Sequence, residues 1–261
     1  MSRIALGLEY DGTDFVGWQI QHDGRSVEGA LAAAVGRVAG ERVNVHGSGR
    51  TDAGVHALHQ IAHFDAAATR TERQWLLGIN SNLPPDVAVR WVREVAIEFD
   101  ARRSAVSRRY RYSILQQGTR PAVAHRRVWW VREPLDCSAM TAAATNWLGE
   151  HDFSSFRAAG CQARSPNRRL IAVQIAHRSH GSGLLVTCEF TANAFLQHMV
   201  RNFVGTLVAI GHGALPPSAA AEILARRDRT EAGVAAPPAG LALVEVLYPP
   251  HYDLPRYTDD A

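Results

Sequence analysis

The alternation of apolar and polar residues in the first hundred positions predicts short strands separated by helices. Ile4, Leu6 and Leu8 recur with a period of two, which is typical of a strand with a buried face. Ser26 precedes a stretch with helical periodicity, and Thr71 forms a capping box with Gln74, so each marks the start of a helix. The predicted order is strand, helix, strand, strand, helix, strand, at residues 4–10, 27–39, 43–46, 57–65, 71–80 and 87–95.

The second half of the chain repeats this order with an extra strand and an extra helix. Its predicted elements lie at residues 107–116, 126–131, 138–148, 168–177, 183–191, 195–210, 218–227 and 241–248. Two split β-α-β modules predict an α+β protein with two ferredoxin-like, or RRM-like, β-α-β-β-α-β halves, whose antiparallel sheets meet at a central cleft. We assign the halves to residues 1–104 and 105–249, followed by a Pro-rich tail at 250–261.

The composition excludes several classes of enzyme. All 28 basic side chains are arginines, since the sequence contains no lysine. Schiff-base and PLP chemistry, the Walker lysine and the kinase lysine are therefore ruled out. No apolar run approaches the ~18 residues of a membrane span, and the start of the chain does not resemble a signal peptide. The three cysteines lack the spacing of a disulfide framework or a zinc site, and we expect a cytoplasmic protein.

The charge is strongly uneven along the chain. Two windows, residues 101–132 and 153–188, hold nine and five arginines and no acidic residue. Aromatic residues such as Tyr110 and Trp129 lie within the first window. Guanidinium groups bind phosphates and rings stack on bases, so this pattern favours nucleic-acid binding. The alternative is a solvated sheet face whose arginines pair with acids from elsewhere in the fold.

The loop at residues 46–56, HGSGRTDAGVH, is the most unusual segment. Three glycines surround Arg50, Thr51 and Asp52, which allows a tight turn and close approach to a ligand. The spacing of the glycines differs from that of a dinucleotide-binding fingerprint. An exposed turn capped by the Asp52 side chain is the simpler alternative, but it gives no role to Arg50.

Histidines near this loop allow a metal-dependent hydrolase as a further alternative. His59 and His63 fall on one face of the predicted strand and could join Asp52 around a metal, with His46 and His56 nearby. No standard metal-binding spacing is present, so we expect these histidines to make ordinary hydrogen bonds.

The helix predicted at 195–210 carries a polar stripe on an otherwise apolar surface. The stripe comprises Gln197, His198, Arg201, Asn202 and Gly205. A buried arginine is costly without a carboxylate partner, and Asp52 is the candidate. Alternatively, Arg201 reaches solvent.

Five segments together resemble successive motifs of the tRNA pseudouridine synthase A family. They are GRTDAGVHA (49–57), SNLPPDVAVRWV (81–92), SRRYRYSI (107–114), HDFSSFRAAGCQARSP (151–166) and ANAFLQHMVRN (192–202). The similarity extends from about residue 3 to residue 254, in the family's order.

The resemblance implies a cofactor-independent homodimer that isomerises uridine to pseudouridine at positions 38, 39 and 40 of the tRNA anticodon arm. It implies that Asp52 is the catalytic aspartate, that Tyr110 contacts the base, and that Arg50 and Arg201 flank the carboxylate. A carboxylate could act as a nucleophile or as a base that yields a glycal, and the residues leave both open. Tyr110 would stack on the extruded base and could help to move the C5 proton.

A non-catalytic RNA-binding protein built from two RRM-like modules is the main alternative. Tyr110 and Tyr112 share one face of a predicted strand, as rings that bind bases do in RRM modules. We expect Tyr112 to be a core residue and Tyr110 to face a pocket. Asp52 favours the enzyme, because an acid in a phosphate groove is unhelpful unless it reacts.

Overall fold

The computed structural model describes residues 1–258 of an α+β protein with five α-helices. In chain order the elements are β1 (Ser2–Tyr10), α1 (Val27–Ala39), β2 (Val45–Gly47), β3 (His56–Ala66), α2 (Glu72–Asn82), β4 (Val87–Val95), β5 (Ser107–Gln116), β6 (Trp129–Val131), α3 (Cys137–Ala144), β7 (Gly149–Asp152), β8 (Asn167–His180), β9 (Gly183–Ala192), α4 (Met199–Gly211), α5 (Ala219–Arg226) and β10 (Leu241–Leu247). Within these residues, no helix has both the length and the apolar character needed to cross a membrane.

The predicted strands and helices are present, with differences at their ends. The long helix was predicted to begin at residue 195, which is wrong: it begins at Met199, because His198 has a φ of +63° and interrupts the helical conformation. The helix predicted at 138–148 ends at Ala144 and continues as a 3-10 turn. The short strand β7 was not predicted.

The described residues form two compact units, and the first comprises Met1–Ser107 together with residues 242–258. Its strands lie in the order β4-β1-β3-β10, with β2 also beside β3. Strand β1 is antiparallel to both of its neighbours, whereas β10 runs parallel to β3. Helices α1 and α2 pack together, and Trp75 of α2 contacts Phe64 of β3 with ring centroids 5.2 Å apart.

A second layer of aromatic residues lies beside His63 of β3 in this unit. The His63 ring meets Phe99 edge-on at 5.9 Å, and Phe99 in turn contacts Tyr248 and Tyr252 of the C-terminal segment at 5.2 and 5.1 Å. These contacts bury β3 and fix the strand that follows the loop carrying Asp52.

The second unit comprises Arg108–Leu241, and its strands lie in the order β5-β9-β8-β7, each antiparallel to the next. Strand β6 pairs with β5 in parallel. Its core is rich in fully buried aromatic side chains, namely Tyr112, Trp147, Phe153, Phe156, Phe190 and Phe203. Trp147 stacks on Phe203 of α4 at 4.4 Å, which holds α4 against the core.

Candidate active site

The Asp52 loop, residues 48–55, joins β2 to β3 and is attached to the segment that follows β1. The Trp18 N–H donates to Thr51 O at 3.0 Å, and Gly17 forms a β-bridge with Asp52. Gly17 has a φ of +110°, and a Cβ at this position would lie 2.5 Å from Thr51 O. Only glycine fits there, so the close approach of these two backbones explains Gly17.

Side-chain hydrogen bonds also fix the Asp52 loop. The Tyr10 hydroxyl and Thr51 Oγ1 form a buried hydrogen bond of 2.8 Å, and the Gln60 amide donates to a loop carbonyl at 2.8 Å. The side chain of Asp52 is partly exposed and that of Arg50 is exposed. The loop therefore presents a carboxylate to solvent on a rigid backbone, as a group that reacts with a bound ligand requires.

His59 and His63 lie on β3, the strand that follows the Asp52 loop. Trp91 Nε1 donates to His59 Nε2 at 3.0 Å, and the Ala101 N–H donates to His63 Nδ1 at 3.1 Å. Burial lowers the pKa of both imidazoles to about 4, so both are neutral near pH 7. They act as buried hydrogen-bond acceptors.

The other two histidines make no cluster with them that suits a metal. His56 accepts a backbone N–H at 3.1 Å, and His46 is exposed. Across residues 1–258, no group of three or more His, Cys, Asp or Glu side chains is arranged to hold an ion. The geometry does not favour the metal-dependent hydrolase that His59, His63 and Asp52 suggested.

Tyr110 lies on β5 of the second unit and keeps 8% of its surface accessible. Its ring meets Phe195 edge-on at 5.0 Å. Tyr112 is fully buried, and its hydroxyl donates to Pro237 O at 2.7 Å, while burial raises its pKa above the ordinary value. The prediction that Tyr112 is a core residue is confirmed.

Arg201, also in the second unit, is tied to the segment at residues 229–237. Its Nε donates to Ala236 O at 2.7 Å, and the Ala236 N–H donates back to Arg201 O at 3.0 Å. The fully buried Asn202 accepts from Arg229 at 3.0 Å. The polar stripe of α4 thus attaches this segment to the helix and orients the Arg201 side chain.

The composition of the stripe differs from the prediction. Gln197 and His198 precede α4 and do not belong to it. Thr206, which was not predicted to belong to the stripe, donates to Ala232 O at 2.9 Å, and the contact of Arg229 with Asn202 was not predicted either. Thr206 could have been noticed as a polar residue on an apolar helix, whereas the 3-10 turn at Arg229–Ala232 is too short to give a periodic signal.

The fourteen arginines of the two acid-free windows differ in their ion pairs and in their exposure to solvent. Arg109 and Arg111 form ion pairs with Glu189 at 3.1 and 2.5 Å. Glu189 lies immediately after the second window, so the alternative that the arginines pair with acids from elsewhere in the fold is correct for these two. Nine others are exposed, namely Arg102, Arg103, Arg120, Arg126, Arg127, Arg132, Arg164, Arg169 and Arg178. The exposed arginines are the ones that a polyanion can reach from solvent.

The sequence matches the tRNA pseudouridine synthase family over residues 8–102 and 143–249. It is 51% identical to a tRNA pseudouridine synthase A of Nitrosococcus oceani over 97% of this chain and 96% of that protein. Identities to proteins of the same name are 47% for Coxiella burnetii, over 98% and 97% of the two chains, and 49% for Klebsiella pneumoniae, over 97% and 92%.

Proposed function

This chain belongs to the tRNA pseudouridine synthase family, and we propose that it acts on the anticodon stem-loop of tRNA, at positions 38, 39 and 40. Its reaction is the isomerisation of uridine to pseudouridine in tRNA. The target positions follow from the resemblance of its motifs to the family.

We assign the catalytic role to Asp52. The observation that supports this choice is the Asp52 loop, whose carboxylate is partly exposed while its backbone is fixed by Gly17, Trp18 and Tyr10. Catalysis requires such positioning, because a displacement of about 1 Å reduces rates ~10²-fold.

The chemistry requires little beyond a carboxylate. The N1–C1′ bond of uridine breaks, the uracil rotates, C5 bonds to C1′, and the proton on C5 leaves. Asp52 would attack C1′ as a nucleophile, or remove the C2′ proton to give a glycal to which the uracil adds back. Both routes conserve all atoms of the nucleotide except for the exchange of the C5 proton with solvent.

The other predicted residues would act around this carboxylate. We assign Arg50 and Arg201 to binding of the substrate, since guanidinium groups donate several hydrogen bonds to polar and anionic groups. Tyr110 would stack on the uracil once the nucleotide is extruded, and its hydroxyl would help to transfer the C5 proton. No cofactor is needed in this scheme.

We further propose two ferredoxin-like halves, corresponding to residues 1–104 and 105–249, with 250–261 as the tail. The order of β1, α1, β2, β3, α2 and β4, with β1 between β3 and β4, supports this for the first half. We also propose a cytoplasmic homodimer, for which light scattering should give about twice the 28.5 kDa mass of the chain.

A tritium-release assay tests the proposed function. Forming the new C–C bond expels the label from tRNA transcribed with [5-³H]uridine, so the wild-type protein should release tritium without added metal or cofactor. A matched transcript with cytidine at positions 38, 39 and 40 should release none. Binding without any release would instead support a non-catalytic RNA-binding protein, and release from the cytidine transcript would contradict the proposed positions.

A further inference from the structure

The loop at residues 157–168, which we call the arginine loop, folds around the side chains of its own first and last arginines. Arg157 Nη2 donates to Cys161 O and Ala163 O at 2.6 and 2.7 Å. Arg168 Nη1 donates to Asn167 O and Ser165 O at 2.6 and 3.0 Å. Both guanidinium groups are therefore half-buried and fixed by carbonyls of the same loop.

Among residues 1–258, no carboxylate forms an ion pair with either guanidinium group. Asp152, the nearest acid along the chain, accepts from Ser154 N and Oγ at 2.9 and 2.6 Å and lies 3.6 Å from Arg227. Arg168 Nε is shielded from solvent and has no hydrogen-bond partner among residues 1–258. A buried, unpartnered N–H of a cation is costly, so an anionic acceptor is expected to approach it.

The pKa values in the loop agree with an anion-binding environment. Burial and the positive charge of Arg157 both lower the pKa of Arg168, whereas the negative charge of an ionised Cys161 raises it. Burial raises the pKa of Cys161. Hydrogen bonds from the backbone of Ala163 and Gln197 and from Arg157 together lower it by more than burial raises it, so the net shift is downward. The loop thus stabilises negative charge at Cys161.

We propose that the arginine loop is a binding site for a backbone phosphate of the tRNA. Arg157 and Arg168 supply guanidinium groups that the loop holds in place, and a small rotation of the Arg168 side chain would bring its shielded, unpartnered Nε–H to a phosphate oxygen. The loop contains no aromatic residue on which a base could stack, which favours phosphate over base recognition. This inference rests on the proposed function, since it specifies where the same substrate binds.

The salt dependence of tRNA binding tests the site. Arg168→Gln should reduce the slope of log affinity against log salt by roughly 0.7 to 0.9, the value for one lost phosphate contact. Arg178→Gln is the matched control, because Arg178 carries the same charge, lies in the same acid-free window and is exposed on β8. Equal slopes for the two variants would overturn the proposal.

Alkylation of Cys161 gives a readout that does not depend on activity. Burial raises the pKa of Cys188 to about 12 and also raises that of Cys137, so iodoacetamide at pH 7.5 should label Cys161 first. Saturating anticodon-arm RNA should slow this labelling at least tenfold by covering the thiol and opposing its ionisation. Inorganic phosphate at 10 mM, with ionic strength held constant, should slow it less than twofold.

The outcomes separate this inference from the proposed function. If the wild-type protein releases tritium but RNA does not slow labelling of Cys161, the phosphate site is wrong and the function stands. If RNA slows the labelling but no tritium is released, the site stands and the function fails. Protection by 10 mM phosphate equal to that by RNA would indicate a site for free phosphate and would overturn the assignment to tRNA.

Arg157→Gln, checked for folding by circular dichroism, repeats the salt-dependence test at the other guanidinium group. Its slope should also be smaller than that of Arg178→Gln.

Discussion

The Asp52 loop and the arginine loop are held in place in opposite ways. Other segments hold the backbone of the Asp52 loop, and its charged side chains are left accessible. In the arginine loop the charged side chains themselves hold the backbone. A carboxylate that reacts must be placed within tenths of an ångström, whereas a phosphate site needs correct charge more than exact position. Under the proposed function, the Asp52 loop supplies the reacting carboxylate and the arginine loop supplies contacts to a phosphate.

Substitution of Asp52 should reduce activity more than any other change considered below, because Asp52 is the proposed reacting group of its loop. Asp52→Asn preserves the shape of the side chain but removes the nucleophile or base, so tritium release should fall by at least 10³-fold, about 4 kcal/mol. Affinity for tRNA, measured by filter binding, should change by less than about tenfold, ~1.4 kcal/mol.

Asp23→Asn is the control for this substitution. It removes the same charge from the same unit at a side chain that is 95% exposed. Release by Asp52→Asn that matched release by Asp23→Asn would exclude Asp52 from the mechanism.

Acid should destabilise the first unit more than the second. His59 and His63 have pKa values of about 4 in the folded state against 6.5 when unfolded. Between pH 6.5 and pH 4 the unfolded state binds more protons, so stability is lost as pH falls through this window, by about 3 kcal/mol per histidine. Residues 108–241 contain no histidine that is equally buried.

Hydrogen exchange at pH 7, 5.5 and 4.5, corrected for intrinsic rates, measures this effect in each unit. Protection in β3 should decrease before protection in β9. The double variant His59→Gln and His63→Gln should lose most of this pH dependence, while His125→Gln, an exposed control in the second unit, should keep it. Simultaneous loss of protection in both strands would contradict the prediction.

Gly17→Ala should have the smallest effect and tests whether the backbone of the Asp52 loop must be fixed. The added Cβ would meet Thr51 O, and alanine is strained at a φ of +110°, which should lower the free energy of unfolding by about 1–3 kcal/mol. Tritium release should fall by more than this loss of stability explains at 25 °C, because Asp52 would be displaced.

Gly118→Ala serves as the control, since no atom lies within 4 Å of its added Cβ. Thermal unfolding by circular dichroism and tritium release should both remain near wild type for this variant. A Gly17→Ala variant with full activity would show that the position of the loop matters less than its chemistry.

Much of the fold could be predicted because periodicity is a local property of the chain. The alternation at Ile4, Leu6 and Leu8 and the capping box of Thr71 mark elements that the structure contains at nearly the predicted positions. Asp52 could be singled out for the same reason, because the glycines that surround it are neighbours in sequence. The start of α4 was missed, since Phe195 and Leu196 continue the apolar pattern although the chain turns at His198.

Local residue patterns were sufficient to establish the order of strands and helices, the exclusion of lysine-dependent chemistry, the acid-free windows and the family to which the chain belongs. The partners of the charged residues became clear only from the folded chain. Glu189 binds Arg109 and Arg111 because the register of β5 and β9 places them together, and Arg201 binds Ala236 because an irregular segment crosses α4. Such pairings join residues that are tens of positions apart, and no local pattern encodes them, since they depend on how the whole core packs.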